Sequence, residues 1–207
     1  MQYINLKEKL KNYTLFSLAD IIKIDENFGR ARLNEWQNKG YIKKIIKNYY
    51  IFTDISLNES RIYEIANKIY SPSYISLEMA LSYYNLIPEG VYEITSATTR
   101  RTYTFDTKIG LFRYRKLKPS LFFGFNLVEY NGKYYKIASI EKTILDFLYF
   151  NPKINTISAI ESLRLNRNEF LHIVNEEKFN KFIDIFNNKE LSKRIKVFWE
   201  FINNVRS

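Results

Sequence analysis

A chain of 207 residues with 46% hydrophobic and 26% charged side chains is long and apolar enough to bury a core, which excludes a mainly disordered polymer. It has no cysteine and a single histidine, His172, so disulfide scaffolds, thiol catalysis, thiolate metal sites and paired-histidine metal motifs are excluded. Thirty-two basic against 22 acidic residues give a net charge of +10, which favours a polyanionic partner, either nucleic acid or an anionic surface.

Residues 1–70 read as three helices, a hairpin and a further helix. Met1–Asn12 is charged and amphipathic, with Ile4, Leu6 and Leu10 as its apolar side. Ser17 is a natural N-cap for a second helix, Leu18–Ile24, because its hydroxyl satisfies an early backbone N–H. Asp25-Glu26-Asn27 forms a polar turn. A third helix is predicted over Phe28–Lys39, with Gly40 at the left-handed position that closes it. Two β-rich runs, Tyr41–Ile46 and Tyr49–Phe52, flank Lys47-Asn48, and Asn tolerates the positive φ of a tight hairpin.

The middle of the chain, 71–150, is dominated by β-type residues. Ser76 is placed as the cap of a helix over Leu77–Tyr84. Strands are predicted at Val91–Ala97, Arg101–Phe105, Leu111–Leu117, Gly124–Tyr130 and Tyr134–Ala138, with Asn131-Gly132 the strongest hairpin signal in the sequence. Ser139 caps a helix over Ile140–Phe150, with Glu141 in its first turn. Met79, Leu81, Leu86, Leu145, Phe147 and Leu148 read as core. Residues 151–207 return to helical periodicity, seen in Phe179, Phe182, Ile183 and Phe186 and again in Ile195, Phe198, Trp199 and Ile202. The expected fold is therefore α+β: an N-terminal winged helix-turn-helix over 1–70, then a sheet-plus-helix domain over 71–207 whose end is helical.

The basic surplus is spread evenly: twelve basic against eight acidic residues in 1–70, and ten against seven in each of 71–150 and 151–207. An A/T-rich coding sequence would raise Lys, Asn, Ile, Tyr and Phe together, so the placement of the charges matters more than their number. No uncharged run exceeds ten residues and Met1–Glu8 lacks the apolar core of a signal peptide, so the expectation is a soluble, cytoplasmic chain without a membrane partner.

A helix fits the DNA major groove, and a hairpin beside it reaches phosphates or the minor groove. On a helical wheel of residues 28–39, Gly29, Leu33 and Trp36 share one arc, which faces the core. Arg30, Asn34, Gln37 and Asn38 fall on the other side. These residue types read base edges, arginine pairing with guanine and the amides with adenine. Arg32 and Lys39 flank that face and suit phosphates, as do Lys43, Lys44 and Lys47 in the hairpin. The same residues also describe an ordinary solvated helix face and a charged edge strand, and winged helices serve as protein-interaction modules too.

The run from Phe16-Ser17-Leu18-Ala19-Asp20 through Trp36-Gln37-Asn38-Lys39-Gly40-Tyr41-Ile42 and the hairpin resembles the DNA-binding domain of AbiEi-type antitoxins, from abortive-infection (type IV) toxin–antitoxin systems. Tyr74–Leu117 and Lys136–Tyr149 resemble signature segments of that family's C-terminal domain. The resemblance covers roughly residues 10–150, and Asn48 stands where relatives often carry Gly. It implies a transcriptional repressor that binds inverted repeats in double-stranded DNA upstream of its own operon. It also implies an antitoxin that neutralises a partner nucleotidyltransferase toxin encoded beside it, in phage defence. By position, DNA contact falls on Arg30, Arg32, Asn34, Gln37 and Asn38 and on Lys43, Lys44 and Lys47.

A second candidate surface for an anionic partner comprises Arg100, Arg101, Arg113, Arg115, Lys116 and Lys118. Arg113 and Arg115 alternate in one strand and share a sheet face with Leu111 and Leu117. DNA flanks, toxin-bound RNA, an acidic patch on a toxin and plain solvent are all open readings. For catalysis the sequence offers little. The nearest glycines, Gly124 and Gly132, are eight apart, too far for a phosphate-cradling loop. Pro88-Glu89 with Asp106-x-Lys108 loosely matches a Mg²⁺ nuclease pattern. Acid-x-Lys occurs twice, the other being Glu176-x-Lys178, which is about what chance placement gives. His172, beside Leu171 and Ile173, reads as a packed or half-exposed side chain. No enzyme activity, metal or cofactor is expected. The alternative to a DNA-binding antitoxin is a winged-helix module for protein or RNA, with a nuclease third.

Overall fold

The structure, a computed structural model, describes residues 1–204 and is α+β. The chain opens with α1 (Tyr3–Lys9), β1 (Phe16–Ser17), α2 (Leu18–Ile24), α3 (Ala31–Asn38), β2 (Ile42–Ile46) and β3 (Tyr49–Phe52). β1 and β2 flank β3 in an antiparallel three-stranded sheet. Its apolar face and the helices share one core containing Leu6, Leu10, Phe16, Ile21, Leu33, Trp36, Ile42 and Phe52. Two expectations fail here. Ile4 is 73% exposed, because α1 turns only its Leu6 side inward. Gly29 lies in solvent ahead of a helix that begins at Ala31, so it is not part of the buried arc.

α4 (Glu59–Ile69) follows and packs on the second sheet, against β4 (Ser73–Ile75) and β9 (Lys133–Ala138). After α5 (Leu77–Tyr83) come β5 (Glu93–Thr98), β6 (Tyr103–Thr107), β7 (Gly110–Lys116), a 3₁₀ turn at Pro119–Leu121, and β8 (Phe125–Tyr130). The six strands run in the order β6-β7-β5-β4-β9-β8, with β5–β7 and β4–β9 parallel and the remaining pairs antiparallel. Asn131 and Gly132 both have positive φ in the β8–β9 hairpin, as that two-residue turn demands. β1 and β4, of two and three residues, are strands that no alternation announces.

α6 (Ile140–Phe150) lies on the sheet face opposite α4 and packs against α5, α9 (Glu176–Phe186) and α10 (Lys189–Asn203), with α7 (Ile157–Glu161) and α8 (Arg167–Ile173) adding Ile160 and Phe170 to the same core. Residues 205–207, part of the predicted helical end, lie outside the described residues. Ser139 caps α6 as expected. Ser76 does not cap α5: its hydroxyl donates 2.9 Å to Asp146 Oδ2, which also accepts from the Tyr74 hydroxyl at 2.8 Å. Asp146 Oδ1 pairs with the ammonium of Lys142, one turn earlier on α6. All four side chains are fully buried. The ammonium also lies 4.6 Å from the Phe186 ring centre, 5.1 Å from Phe123 and 5.6 Å from Tyr74. Burial pushes the Lys142 ammonium below the usual lysine range and the Asp146 carboxyl above the usual carboxylate range, each partly countered by the other's charge. Gly124, at φ 72°, lets the chain pass this pair, since a Cβ there would sit 2.8 Å from Phe182 and 3.3 Å from Lys142 Cβ.

Candidate nucleic-acid interface

α3 is held by its neighbours on one side only. α2 begins in a capping box, with the Asp20 amide donating to Ser17 Oγ and the Ser17 amide to the Asp20 carboxylate. The turn after it is pinned by Asp25, whose carboxylate accepts the amino terminus at 3.1 Å. α3 then docks through Leu33 and Trp36, the indole lying 5.5 Å from the Phe28 ring and 5.8 Å from Tyr3. Its C-terminus closes in a Schellman motif: the Tyr41 amide donates to Trp36 O at 2.9 Å and the Gly40 amide to Gln37 O at 3.0 Å, with Gly40 at φ 72°. No acidic residue sits in the first turn, so the positive end of the short helix dipole is left uncompensated.

The outward face carries Arg30, Arg32, Asn34, Asn38 and Lys39, all exposed. They are not equivalent. Among the described residues the side chains of Arg30 and Asn38 have no hydrogen-bond or ion-pair partner, and that of Asn34 only accepts a long 3.5 Å bond from Gln37. Gln37 is half-buried and donates 3.0 Å to Leu33 O on its own helix, so it is less free than the wheel implies. Arg32 is committed elsewhere, its guanidinium donating to Met1 O. Lys39 pairs with Glu35 at 2.6 Å, which holds its ammonium above the usual lysine range and Glu35 below the usual carboxylate range. Burial raises the Tyr50 hydroxyl, and the Arg30 charge pulls partly against that rise.

The β2–β3 hairpin stands beside α3. Asn48 adopts φ 67° at its tip, as the sequence predicts, and a register shift falls between Lys44 and Ile46. Lys44 and Lys47 are exposed and Lys43 is half-buried; none of the three has a carboxylate partner among the described residues. The hairpin's other face, with Ile45 and Ile51, joins the core beneath α4 and β9, so this unit is anchored on the larger sheet. Thr14 strengthens that anchor, donating 2.6 Å to buried Glu64 and accepting 2.7 Å from Lys133.

The six-residue second surface is not one surface. Arg113 and Arg115 are on the α6 side of β7. Arg113 forms an ion pair with Glu93 at 2.8 Å, while Arg115 donates to Phe150 O at 3.3 Å and lies over that ring. Arg100 lies on the opposite, α4 side, stacked 4.1 Å over Tyr70. Arg101, Lys116 and Lys118 are exposed without carboxylate partners among the described residues. Of the residues in the acid-plus-lysine matches, Glu89 pairs with Arg164 at 3.5 Å and Lys178 with Glu141 at 2.9 Å, while Asp106 and Lys108 are exposed. Among the described residues, no group of three His, Asp or Glu side chains could hold a metal ion, and His172 is exposed. No helix of the described residues is long and apolar enough to cross a membrane.

What the sequence did not bring forward is the Lys142–Asp146 pair. An i,i+4 lysine and aspartate ordinarily read as a solvent-facing bridge. The available signal is that the intervening and flanking residues of α6 leave no polar face for such a bridge to occupy. Among protein-family models and curated proteins, none matches this chain.

Proposed function

We propose that the N-terminal helices and hairpin act as a winged helix-turn-helix, with α3 as the recognition helix in the DNA major groove and the β2–β3 hairpin as the wing. The observation that carries this reading is the outward face of α3, where Arg30, Asn34 and Asn38 stand in solvent beside a hairpin whose Lys44 and Lys47 have no carboxylate partner among the described residues. An arginine and two amides can form bidentate bonds to guanine and adenine edges, and the wing lysines suit phosphates on the neighbouring backbone. Arg32 and Lys39 fall to supporting roles, because their charges already serve the α1 terminus and Glu35.

Joined to the resemblance of residues 74–117 and 136–149 to AbiEi-type antitoxins, this interface supports reading the chain as a cytoplasmic repressor of its own operon that also counters a nucleotidyltransferase toxin. The α6 helix and its buried pair then serve as scaffold for the antitoxin half. Titration of the chain's own upstream duplex against a shuffled duplex tests the repressor half; the reading expects a clear preference, and equal affinity removes it. Co-expression with the adjacent toxin gene tests the other half, and unrelieved growth arrest removes that.

A further inference from the structure

The α4 side of β6 carries a second feature that differs in chemistry from α3. Tyr70, just past the end of α4, gathers Tyr103, Phe105 and Tyr114 around it, with ring centres 6.1, 5.5 and 4.9 Å away. The floor of this cluster is fixed: the Tyr114 hydroxyl donates 2.8 Å to Ala66 O and the Tyr70 hydroxyl 2.9 Å to Arg101 O. The turn leading into β6 is fixed as well. The Arg100 amide donates to Thr98 Oγ1 at 3.1 Å, and that hydroxyl donates to Pro72 O at 2.6 Å. On this base Tyr103 is 52% exposed, on the edge strand of the six-stranded sheet, which also meets β2 of the hairpin.

The charged residues that sequence and register bring beside that ring on its own face are basic. Arg100 stacks on Tyr70, Arg101 lies two residues before Tyr103, and Lys116 shares the sheet face of Tyr114, the direct partner of Tyr103 in the register. None of these three cations has a carboxylate within ion-pair distance among the described residues, unlike Arg113 on the other face. An exposed tyrosine on an edge strand is unremarkable by itself. An exposed aromatic ring on a rigid stack, bordered by unneutralised arginine and lysine, is the arrangement that binds unpaired nucleobases: the ring takes the base face and the cations take the phosphates. Duplex bases are already stacked on one another and offer no free face to Tyr103.

We propose that Tyr103, Arg100, Arg101 and Lys116 form a second nucleic-acid site, separate from α3, that takes a single strand by stacking an unpaired base on Tyr103. The site does not depend on duplex recognition by α3, and the two fail independently.

The test is fluorescence anisotropy of the full chain with short labelled single strands of one mixed sequence, made as RNA and as DNA, alongside the corresponding duplex. Saturable binding to a single strand is expected, and the tighter of the two arms identifies the ligand as RNA or DNA. Tyr103→Ala should weaken that binding about tenfold, the loss of one stacked base, while Tyr103→Trp retains it. Arg101→Glu and Lys116→Glu should weaken it and flatten its salt dependence. Titration of the chain's own upstream duplex should be unchanged by Tyr103→Ala and altered by Arg30→Ala. Binding to neither single strand overturns the proposal, as does indifference to Tyr103→Ala. Equal losses on duplex and single strand with Tyr103→Ala overturn it too, because they make the surface a flank of the duplex interface.

Discussion

The buried Lys142–Asp146 pair sets a stability prediction whose order of effects follows from the partners each side chain would leave behind. Removing one member of a buried ion pair costs about 3–5 kcal/mol, against a total folding stability of about 5–15 kcal/mol. Lys142→Met belongs at the low end of that range, because Asp146 keeps the Tyr74 and Ser76 hydroxyls as donors and its carboxyl, already raised by burial, can take up a proton. Asp146→Leu belongs at the high end or above. It leaves an ammonium among the Tyr74, Phe123 and Phe186 rings and two hydroxyls with no acceptor, each of those hydroxyls costing about 1–3 kcal/mol. The double variant removes the stranded charge and retains only the orphaned hydroxyls, so it should be more stable than Asp146→Leu alone. Urea unfolding followed by tryptophan fluorescence and far-ultraviolet circular dichroism measures all three, with Trp36 and Trp199 reporting on opposite ends of the chain. The reasoning is refuted if Asp146→Leu costs less than about 1 kcal/mol, the range of exposed pairs. It is equally refuted if the double variant is less stable than Asp146→Leu.

Three further outcomes are expected. Burial drives the Glu141 carboxyl up, but the Ser139 hydroxyl, the Lys178 ammonium and the Asn175 amide together hold it below its ordinary 4.5. A depressed carboxylate stabilises the fold above that value and loses its contribution as pH falls through the lower one. Melting temperature should therefore fall more steeply below about pH 5 for the native chain than for Glu141→Gln, the two converging in acid; parallel profiles would contradict this. Replacing Lys44 and Lys47 by alanine should shallow the slope of log affinity against log salt for duplex DNA by about 1.8. Lys39→Ala should change it less, since Glu35 already neutralises that charge; an unchanged slope for the wing variant would remove the wing from the interface. Ser17→Ala, which opens the capping box of α2, should lower stability by about 1 kcal/mol in the same urea titration.

The parts of the fold that were legible beforehand are those whose cause is local. Gly40, Asn48 and Asn131-Gly132 take the positive φ values their turns require, and Ser17 and Ser139 cap the helices they precede. Legibility fails where a partner is remote in sequence. Ser76 has the right residue type and position for a cap, yet its hydroxyl is claimed by Asp146, 70 residues later. β1 and β4 are too short to show alternation and exist because β3, β5 and β9 offer them partners. For the candidate interface, the wheel separated Leu33 and Trp36 from the outward face, but it could not show that Gln37, Arg32 and Lys39 are engaged by Leu33 O, Met1 O and Glu35. Strand alternation separates Lys116 from Arg113 and Arg115, but it could not place Arg100, which precedes β6 and lies on the α4 side over Tyr70.

Whether α3 lies in the major groove is read most directly by dimethyl sulfate protection of guanine N7, an atom reachable only from that groove. With the chain bound to its upstream duplex, a small set of guanines should be protected, and Arg30→Ala should restore reactivity at one of them while the others stay protected. Full reactivity of every guanine N7 on a saturated duplex would place α3 outside the groove and contradict the assignment.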